Sequence, residues 1–318
     1  MLSRFRGTYT GAILGQMWAS HAASLPKTAL WLLECHLDFR ESSATNPFGN
    51  FRGIEEVSKI LVEKGELSLD GNKNISIPWL EEETAQLDAD IWMGLLPITL
   101  FFHENNSRLA VNLQQATTSW QFSSEATEAA LGVGYTIALA LRETLDPATL
   151  LPQTLQFLNA IEGDSLPLQF PSTLQTLLDR PASLESVKGG SPSGSQSLPR
   201  PTAQICSRAV ALALYCFLGT PQDFRTCVMR SLQVDYHPEL VATIVGAIAG
   251  AYNGYAGIPL SWRVALNLEG ESTSDRLATQ LWAAWSGRYD PTGSLDMLEE
   301  IAAVTAPGVL RPRALEVD

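Results

Sequence analysis

Three glycines near the start of the chain recur every four residues. Gly7, Gly11 and Gly15 lie in the otherwise largely apolar stretch "RFRGTYTGAILGQMW". A spacing of four places all three on one face of a helix, where the missing side chains let another backbone approach closely. The pattern therefore predicts a helix over residues 6–23 that packs tightly against a second backbone segment.

Apolar residues recur at helical spacing along the rest of the chain, and no run alternates as a half-buried strand would. Helices are predicted over residues 26–39, 54–65, 80–104, 107–120, 123–143, 146–162, 203–220, 221–232, 238–254, 277–287 and 294–304. The predicted fold class is all-α, with a dozen or so helices in a single bundle-like domain.

Several residues mark where these helices should begin, bend or end. Pro97 should kink or break the long central helix. Ser124 is a candidate N-cap with acidic residues in the turn after it. Pro238 sits where a first helical residue would be, and Gly254 or Gly257 can end that helix.

The clearest compositional break lies at about residues 164–201, which contain "KGGSPSGSQSLPRP". Gly, Ser and Pro in this density are typical of a loop or linker. A domain boundary is one interpretation. Because the helical pattern is similar on both sides, we favour a long surface loop within one domain that spans residues 1–318.

Composition narrows the partners and the compartment. The formal net charge of −13 argues against nucleic acid and against anionic membranes, because both need clustered Lys and Arg. Four cysteines without a CxxC pair indicate reduced, mostly structural thiols in a cytoplasmic protein. The N-terminus partly imitates a signal peptide, but Gly11, Gly15 and Gln16 interrupt its apolar part.

Three stretches, taken in chain order, resemble the ADP-ribosylglycohydrolases, the group that includes the dinitrogenase reductase-activating glycohydrolases. They are "RGTYTGAILGQMW" at 6–18, "MGLLP" at 93–97 and "DYHPELVATIVGAIAGAYNGYAGIP" at 235–259. In the second stretch, Met93 and Pro97 match the family's "MRxxP", while Gly94 replaces its arginine. The resemblance spans about residues 6–263 and implies a multi-helix orthogonal bundle.

The resemblance also locates the family's metal motifs. Its "GGDTDT" falls on residues 235–240, so His237 and Glu239 stand at the two aspartate positions. The aspartate of the family's "GDA" step corresponds to Gln16, and "TDDT" falls on residues 25–28, where only Thr28 matches. The candidate residues of a remnant cleft are therefore Gln16, Thr28, His237 and Glu239.

The family's reaction implies a pair of magnesium ions that orient ADP-ribose and help water attack a glycosidic bond. Magnesium prefers oxygen ligands, and two ions close together need several carboxylates to offset their repulsion. Of the matched positions only Glu239 offers a carboxylate, imidazole suits zinc better than magnesium, and Lys27 would repel a cation. We therefore predict that the magnesium pair is lost, and we assign no cofactor, no metal site and no catalytic residue.

Structural roles also account for the residues around position 237. Glu239 would favour the macrodipole at a helix N-terminus, and His237 would be a cap-region or surface residue. Asp235 would be an N-cap or turn residue. Two residues separated by two positions, such as His237 and Glu239, do not face the same way on a regular helix.

Three functions remain open at this point. The first is a degenerate family member that binds an ADP-ribose-like ligand or a protein partner without hydrolysing anything. The second is an active ADP-ribosyl hydrolase with an altered, metal-poor site. The third is a structural helical module whose cleft has filled, which Leu240 and Pro26 at former ligand positions would favour.

Overall fold

The computed structural model describes residues 1–23, 52–66, 87–162, 169–179, 203–266 and 273–287. Within these ranges there are twelve α-helices and a short 3-10 turn at Tyr255–Gly257, and no strand. The helices are α1 (Leu2–Ala22), α2 (Arg52–Lys64), α3 (Leu87–Phe102), α4 (Asn106–Ser119), α5 (Ser124–Leu141), α6 (Leu150–Glu162), α7 (Gln169–Asp179), α8 (Ala203–Gly219), α9 (Phe224–Ser231), α10 (Pro238–Asn253), α11 (Leu260–Leu266) and α12 (Thr273–Trp285). The predicted all-α fold class is confirmed.

The N-terminal helix α1 and the late helix α10 pack against each other more extensively than any other pair of described helices. They run antiparallel, because Gly7 lies against Gly250, Gly11 against Gly246 and Gly15 against Ala242. A Cβ atom added at any of these α1 glycines would collide with the opposing carbonyl oxygen. The predicted close backbone approach is confirmed, and α10 is the partner.

Polar side chains cap the N-termini of α4 and α5. Asn105 caps α4 by accepting from the backbone N–H groups of Ser107 and Arg108. The N-cap of α5 is Ser123, whose hydroxyl accepts from the Ala126 N–H at 3.2 Å. The prediction of Ser124 as that cap was wrong by one residue: both serines can accept, and the chain enters the helix one position earlier.

Pro97 lies inside α3, which continues through it to Phe102. The prediction that Pro97 could break this helix was therefore wrong. Proline removes one intrahelical hydrogen bond, but α3 is buried almost all round and packs against α2, α4, α5 and α10. Tertiary contacts on several sides hold the helix together across the missing bond.

Two described helices were not predicted. The helix α7 lies within the segment expected to be a loop at 164–201, where Phe170 and Leu174 are fully buried one turn apart. The Gly/Ser/Pro-rich run that dominated that prediction lies outside the described residues, as do the helices predicted at 26–39 and 294–304. The helix α11 has only seven residues, too few for a periodic signal.

Large aromatic side chains fill the space around the central pair of helices. Trp18 of α1 and Trp262 of α11 pack with ring centroids 4.6 Å apart, and Phe224 of α9 meets Trp262 edge-on. These three side chains are fully buried, so α1 packs against helices from the C-terminal half of the described chain. Among the described helices, none combines the length and apolar character needed to cross a membrane.

Candidate functional site

Two neutral donors on α1 face two carboxylates on other helices. The Gln16 side-chain nitrogen donates to Oδ1 of Asp90 on α3, at 3.2 Å. One turn later, the Ser20 hydroxyl lies 3.1 Å from Oε1 of Glu239 on α10 and 3.1 Å from the carbonyl oxygen of Gln16. We call Gln16, Ser20, Asp90 and Glu239 the donor–carboxylate cluster.

The two carboxylates influence each other. Burial raises the pKa of Asp90 to about 6, the hydrogen bond from Gln16 opposes this rise, and the negative charge of Glu239 adds to it. A carboxyl group with a raised pKa beside a second carboxylate is an arrangement that recurs at functional sites. Burial and the neighbouring charge of Glu239 therefore make Asp90 easier to protonate than an ordinary aspartate.

The start of α10 explains how Glu239 reaches the cluster. His237 is the N-cap residue in a left-handed conformation, with φ 41° and ψ 60°, and Pro238 follows as the first helical residue. The clash between a proline ring and the preceding residue disfavours the right-handed helical conformation for that residue, so the helix cannot extend backward through His237. Glu239 then lies in the first turn, where its charge favours the helix dipole.

The side chain of His237 packs beside an aromatic residue. Its ring meets that of Tyr236 edge-on at 4.9 Å, and the Arg208 guanidinium lies 4.7 Å from the centre of the Tyr236 ring. Tyr236 is largely buried, so this stack anchors the turn before α10. This position accounts structurally for His237 at the beginning of the helix.

The structure brings together only part of the predicted cleft. Gln16 and Glu239 converge in the cluster, through Asp90 and Ser20, whereas Thr28 lies outside the described residues. Asp90 was missed by the sequence reasoning. It stands three residues before Met93 of the "MGLLP" stretch, and a carboxylate one helical turn before that stretch was the available signal.

Two positions that differ from the family pattern are packed into the interior. A Cβ atom on Gly94 would lie 3.2 Å from the tip of the Trp120 ring and 3.7 Å from the Gly53 Cα. An arginine at position 94 would therefore have to displace Trp120. Leu240, at the position of a family threonine, is 1% exposed, so its side chain belongs to the core.

A magnesium pair does not fit the described residues. They contain no group of three or more His, Cys, Asp or Glu side chains placed to hold a metal ion. At Gln16 the atom that faces Asp90 is the amide nitrogen, which is a donor and cannot ligate a cation. The cluster thus offers two carboxylates and two neutral groups, too little negative charge for two adjacent divalent ions.

A small apolar cavity lies next to the site, between α3, α5 and α10. Its volume is about 10 Å³, and its lining includes Trp92, Val133 and Ile244. This space admits about one water molecule. It is too small to hold a nucleotide-like ligand.

Comparisons with known proteins agree with this architecture. The sequence matches the ADP-ribosylglycohydrolase family over residues 85–291, from just before α3 to just after α12. Because this match covers more than half of the chain, the protein belongs to the ADP-ribosylglycohydrolase family. A search of curated proteins gives no significant match.

A solved structure described as an "ADP-ribosylglycohydrolase-related protein complex" has the same fold. It aligns with 88% of this chain and 97% of its own chain, at a TM-score of 0.58 and 18% sequence identity. At this level of identity the likeness supports the fold alone.

Proposed function

We propose that this member of the ADP-ribosylglycohydrolase family has lost magnesium-dependent hydrolysis and acts by binding. Its ligand is an ADP-ribose-like molecule in the cleft around the donor–carboxylate cluster, or a protein partner that covers the cleft. The observation that carries this proposal is the hydrogen bond from the Gln16 amide to Asp90. It places a neutral donor where the resemblance has the aspartate of the family's "GDA" step.

The remaining features of the site support the same proposal. Gly94 leaves no room for the family's arginine beside Trp120, and Leu240 is buried where a polar ligand side chain is expected. The unpaired lone pairs of Asp90 and Glu239 could still accept hydrogen bonds from ribose hydroxyl groups. Binding of a polyhydroxyl ligand therefore needs fewer of the family's residues than metal-dependent hydrolysis does.

The proposal extends to cofactors, partners and location. It includes no magnesium and no other cofactor, because the matched positions offer too few carboxylates. It includes no nucleic-acid partner and no membrane partner, because the chain carries a net charge of −13. It places the protein in the cytoplasm, where the buried thiols of Cys206, Cys216 and Cys227 would stay reduced.

Calorimetric titration tests the proposal directly. ADP-ribose is titrated into the purified protein with and without magnesium, and an ADP-ribosylated protein substrate is assayed for release of ADP-ribose under both conditions. We expect metal-independent binding and no release. Glu239→Gln should weaken binding, whereas Glu104→Gln, which changes an exposed glutamate on the loop after α3, should not. Release of ADP-ribose that requires magnesium would refute the proposal.

One observation favours a second candidate, an active hydrolase with an altered, metal-poor site. Asp90, with a pKa of about 6, lies close enough to Glu239 to be affected by its charge. Glycoside hydrolysis commonly uses such a pair, with one carboxyl protonated as a general acid and the other ionised. This candidate requires release of ADP-ribose that persists in EDTA and is abolished by Asp90→Asn. If the protein neither binds ADP-ribose nor releases it from a substrate, the third candidate function, a structural interaction module, is the one that fits.

A further inference from the structure

The two carboxylates of the cluster lack a cationic partner within the described chain. Ion pairs of the described residues include Arg4 with Glu143 and Arg6 with Asp275, but neither Asp90 nor Glu239 forms one with a described residue. Carboxylates that repel each other across a helix interface need a positive or hydrogen-bonding group between them. Here Gln16 and Ser20 fill that role, four residues apart on the same face of α1.

The chemistry of the carboxylate fixes the orientation of Gln16. An ionised carboxylate only accepts hydrogen bonds, so Gln16 must turn its NH2 group toward Asp90. The hydrogen then lies along the lone pair of Oδ1, at an N···O distance of 3.2 Å. A divalent cation such as magnesium needs oxygen ligands and negative charge around it. With its NH2 group turned toward Asp90, Gln16 offers the cluster neither an anionic charge nor a ligand oxygen on that side.

We propose that the Gln16 amide is a neutral substitute for a cation, which links α1 to α3 through Asp90 and leaves the cluster without the third carboxylate that would hold a divalent ion. Ser20 links α1 to Glu239 one turn further along. The inference concerns the cluster itself and does not depend on which ligand the cleft binds. It follows that one change, from amide to carboxylate at position 16, should convert the cluster into a cation site.

Gln16→Glu tests this conversion, because the two side chains have nearly the same shape and differ in charge. Manganese serves as the probe, since it accepts oxygen ligands and its binding is measured by electron paramagnetic resonance. We expect Gln16→Glu to bind one Mn²⁺ at least about ten-fold more tightly than the wild-type protein, because affinity for hard cations grows with the number of ligand charges. Its Tm should be lower than that of the wild type without metal and should recover when Mn²⁺ is added.

Gln115→Glu is the matched control, since Gln115 is exposed on α4 and the change adds the same charge away from the cluster. It should bind Mn²⁺ no better than the wild type. The proposal is overturned if the wild type binds Mn²⁺ as tightly as Gln16→Glu does. It is equally overturned if folded Gln16→Glu shows no gain over Gln115→Glu.

A second variant covers the case in which Gln16→Glu does not fold. Gln16→Met keeps the length of the side chain and removes its donor. We expect its Tm to fall below that of the wild type at pH 8, where Asp90 is ionised, and much less at pH 5, where Asp90 is mostly protonated. An equal fall at both pH values would mean that Gln16 contributes packing alone, which contradicts the proposal.

Discussion

Gly11 of α1 and Gly246 of α10 meet backbone to backbone, and each occupies the space that a side chain on the other would need. The same contact repeats at Gly7 with Gly250, one turn away on both helices. Because the obstacle is a carbonyl oxygen held in a helix, it cannot move aside as a side chain can. This pair of helices holds Gln16 and Glu239 within reach of the same cluster.

Replacing Gly11 with alanine should therefore destabilise the fold. We expect a loss of about 2–4 kcal/mol in the free energy of unfolding, because overpacking a rigid helix interface outweighs the gain in helix propensity. Gly94→Ala is the control, since its new methyl group would meet mainly the edge of Trp120 at 3.2 Å. It should cost less than about 1 kcal/mol. Urea unfolding of both variants measures the difference, and equal losses would contradict the packing argument.

His103 should make the protein less stable in acid. Its ring is fully buried between Phe5 and Trp285, with Nδ1 2.6 Å from the carbonyl oxygen of Leu100. Burial lowers the pKa of His103 to about 4, so the unfolded chain binds the extra proton between about pH 6.5 and 4. Stability therefore falls as the pH drops through this window, by about 3 kcal/mol in total.

The variant His103→Asn tests this contribution, because asparagine does not titrate in that range. Its free energy of unfolding is measured from pH 7.5 to pH 4 beside that of the wild type. The variant will be less stable at neutral pH, since a smaller side chain leaves a gap in the core. The test is how steeply the free energy of unfolding falls with decreasing pH, and this fall should be shallower in the variant. If both proteins lose stability equally steeply, His103 is not the cause of the acid destabilisation.

Asp90 should make the protein less stable as the pH rises, which is the opposite of the effect of His103. Its pKa is raised to about 6 in the folded protein, so the folded state holds a proton that the unfolded state releases. Stability from this group is greatest below about pH 4 and is lost as the pH rises through about 6. We expect Asp90→Asn to stabilise the protein by about 1–2 kcal/mol at pH 8, a value reduced for partial solvent exposure, and to have little effect at pH 4.

A stabilising variant at Asp90 would also bear on function. Residues kept at a cost in stability are characteristic of working sites. Thermal unfolding at pH 4 and pH 8, combined with the ADP-ribose titration, separates the two effects. A variant that loses ligand binding while it gains stability would mark Asp90 as functional, whereas a variant destabilised at pH 8 would show that its charge is needed for folding.

The ion pair between Arg6 of α1 and Asp275 of α12 provides a fourth stability prediction. Asp275 is 2% exposed and accepts from Arg6 at 3.1 Å and from the Tyr255 hydroxyl at 3.2 Å. Asp275→Ala removes the carboxylate from Arg6, which should cost about 3–5 kcal/mol. Glu55→Ala breaks the exposed pair with Lys59 and should cost about 0.5 kcal/mol or less. Denaturant unfolding of both variants checks the contrast.

The parts of the fold that local spacing determines could be predicted from the sequence. Gly7, Gly11 and Gly15 predicted a tightly packed helix, and Pro238 and Gly254 marked the ends of α10 correctly. Spacing could not identify α10 as the partner of α1, because that pairing joins segments far apart in the chain. Nor could it set the N-cap at Ser123 instead of Ser124, since neighbouring serines offer the same chemistry.

The candidate site was harder to predict for the same physical reason. Gln16 and Glu239 were found through a resemblance, but Asp90 belongs to no motif and gains its importance only by lying opposite Gln16. Its unusual pKa comes from burial and from the charge of Glu239, and neither can be seen before the helices are packed. Ser20 was missed because its partner on α10 is likewise distant in sequence.

The antiparallel contact of α1 with α10 also sets a time order during synthesis. The residues that cover Gly11 are added more than 200 positions later. At translation rates of roughly 5–20 residues per second, the first helix waits on the order of 10–50 s for its partner. Throughout that interval the buried face of α1, which includes Phe5, Leu14 and Trp18, lacks its native cover, so the nascent chain exposes apolar surface until its own C-terminal third emerges.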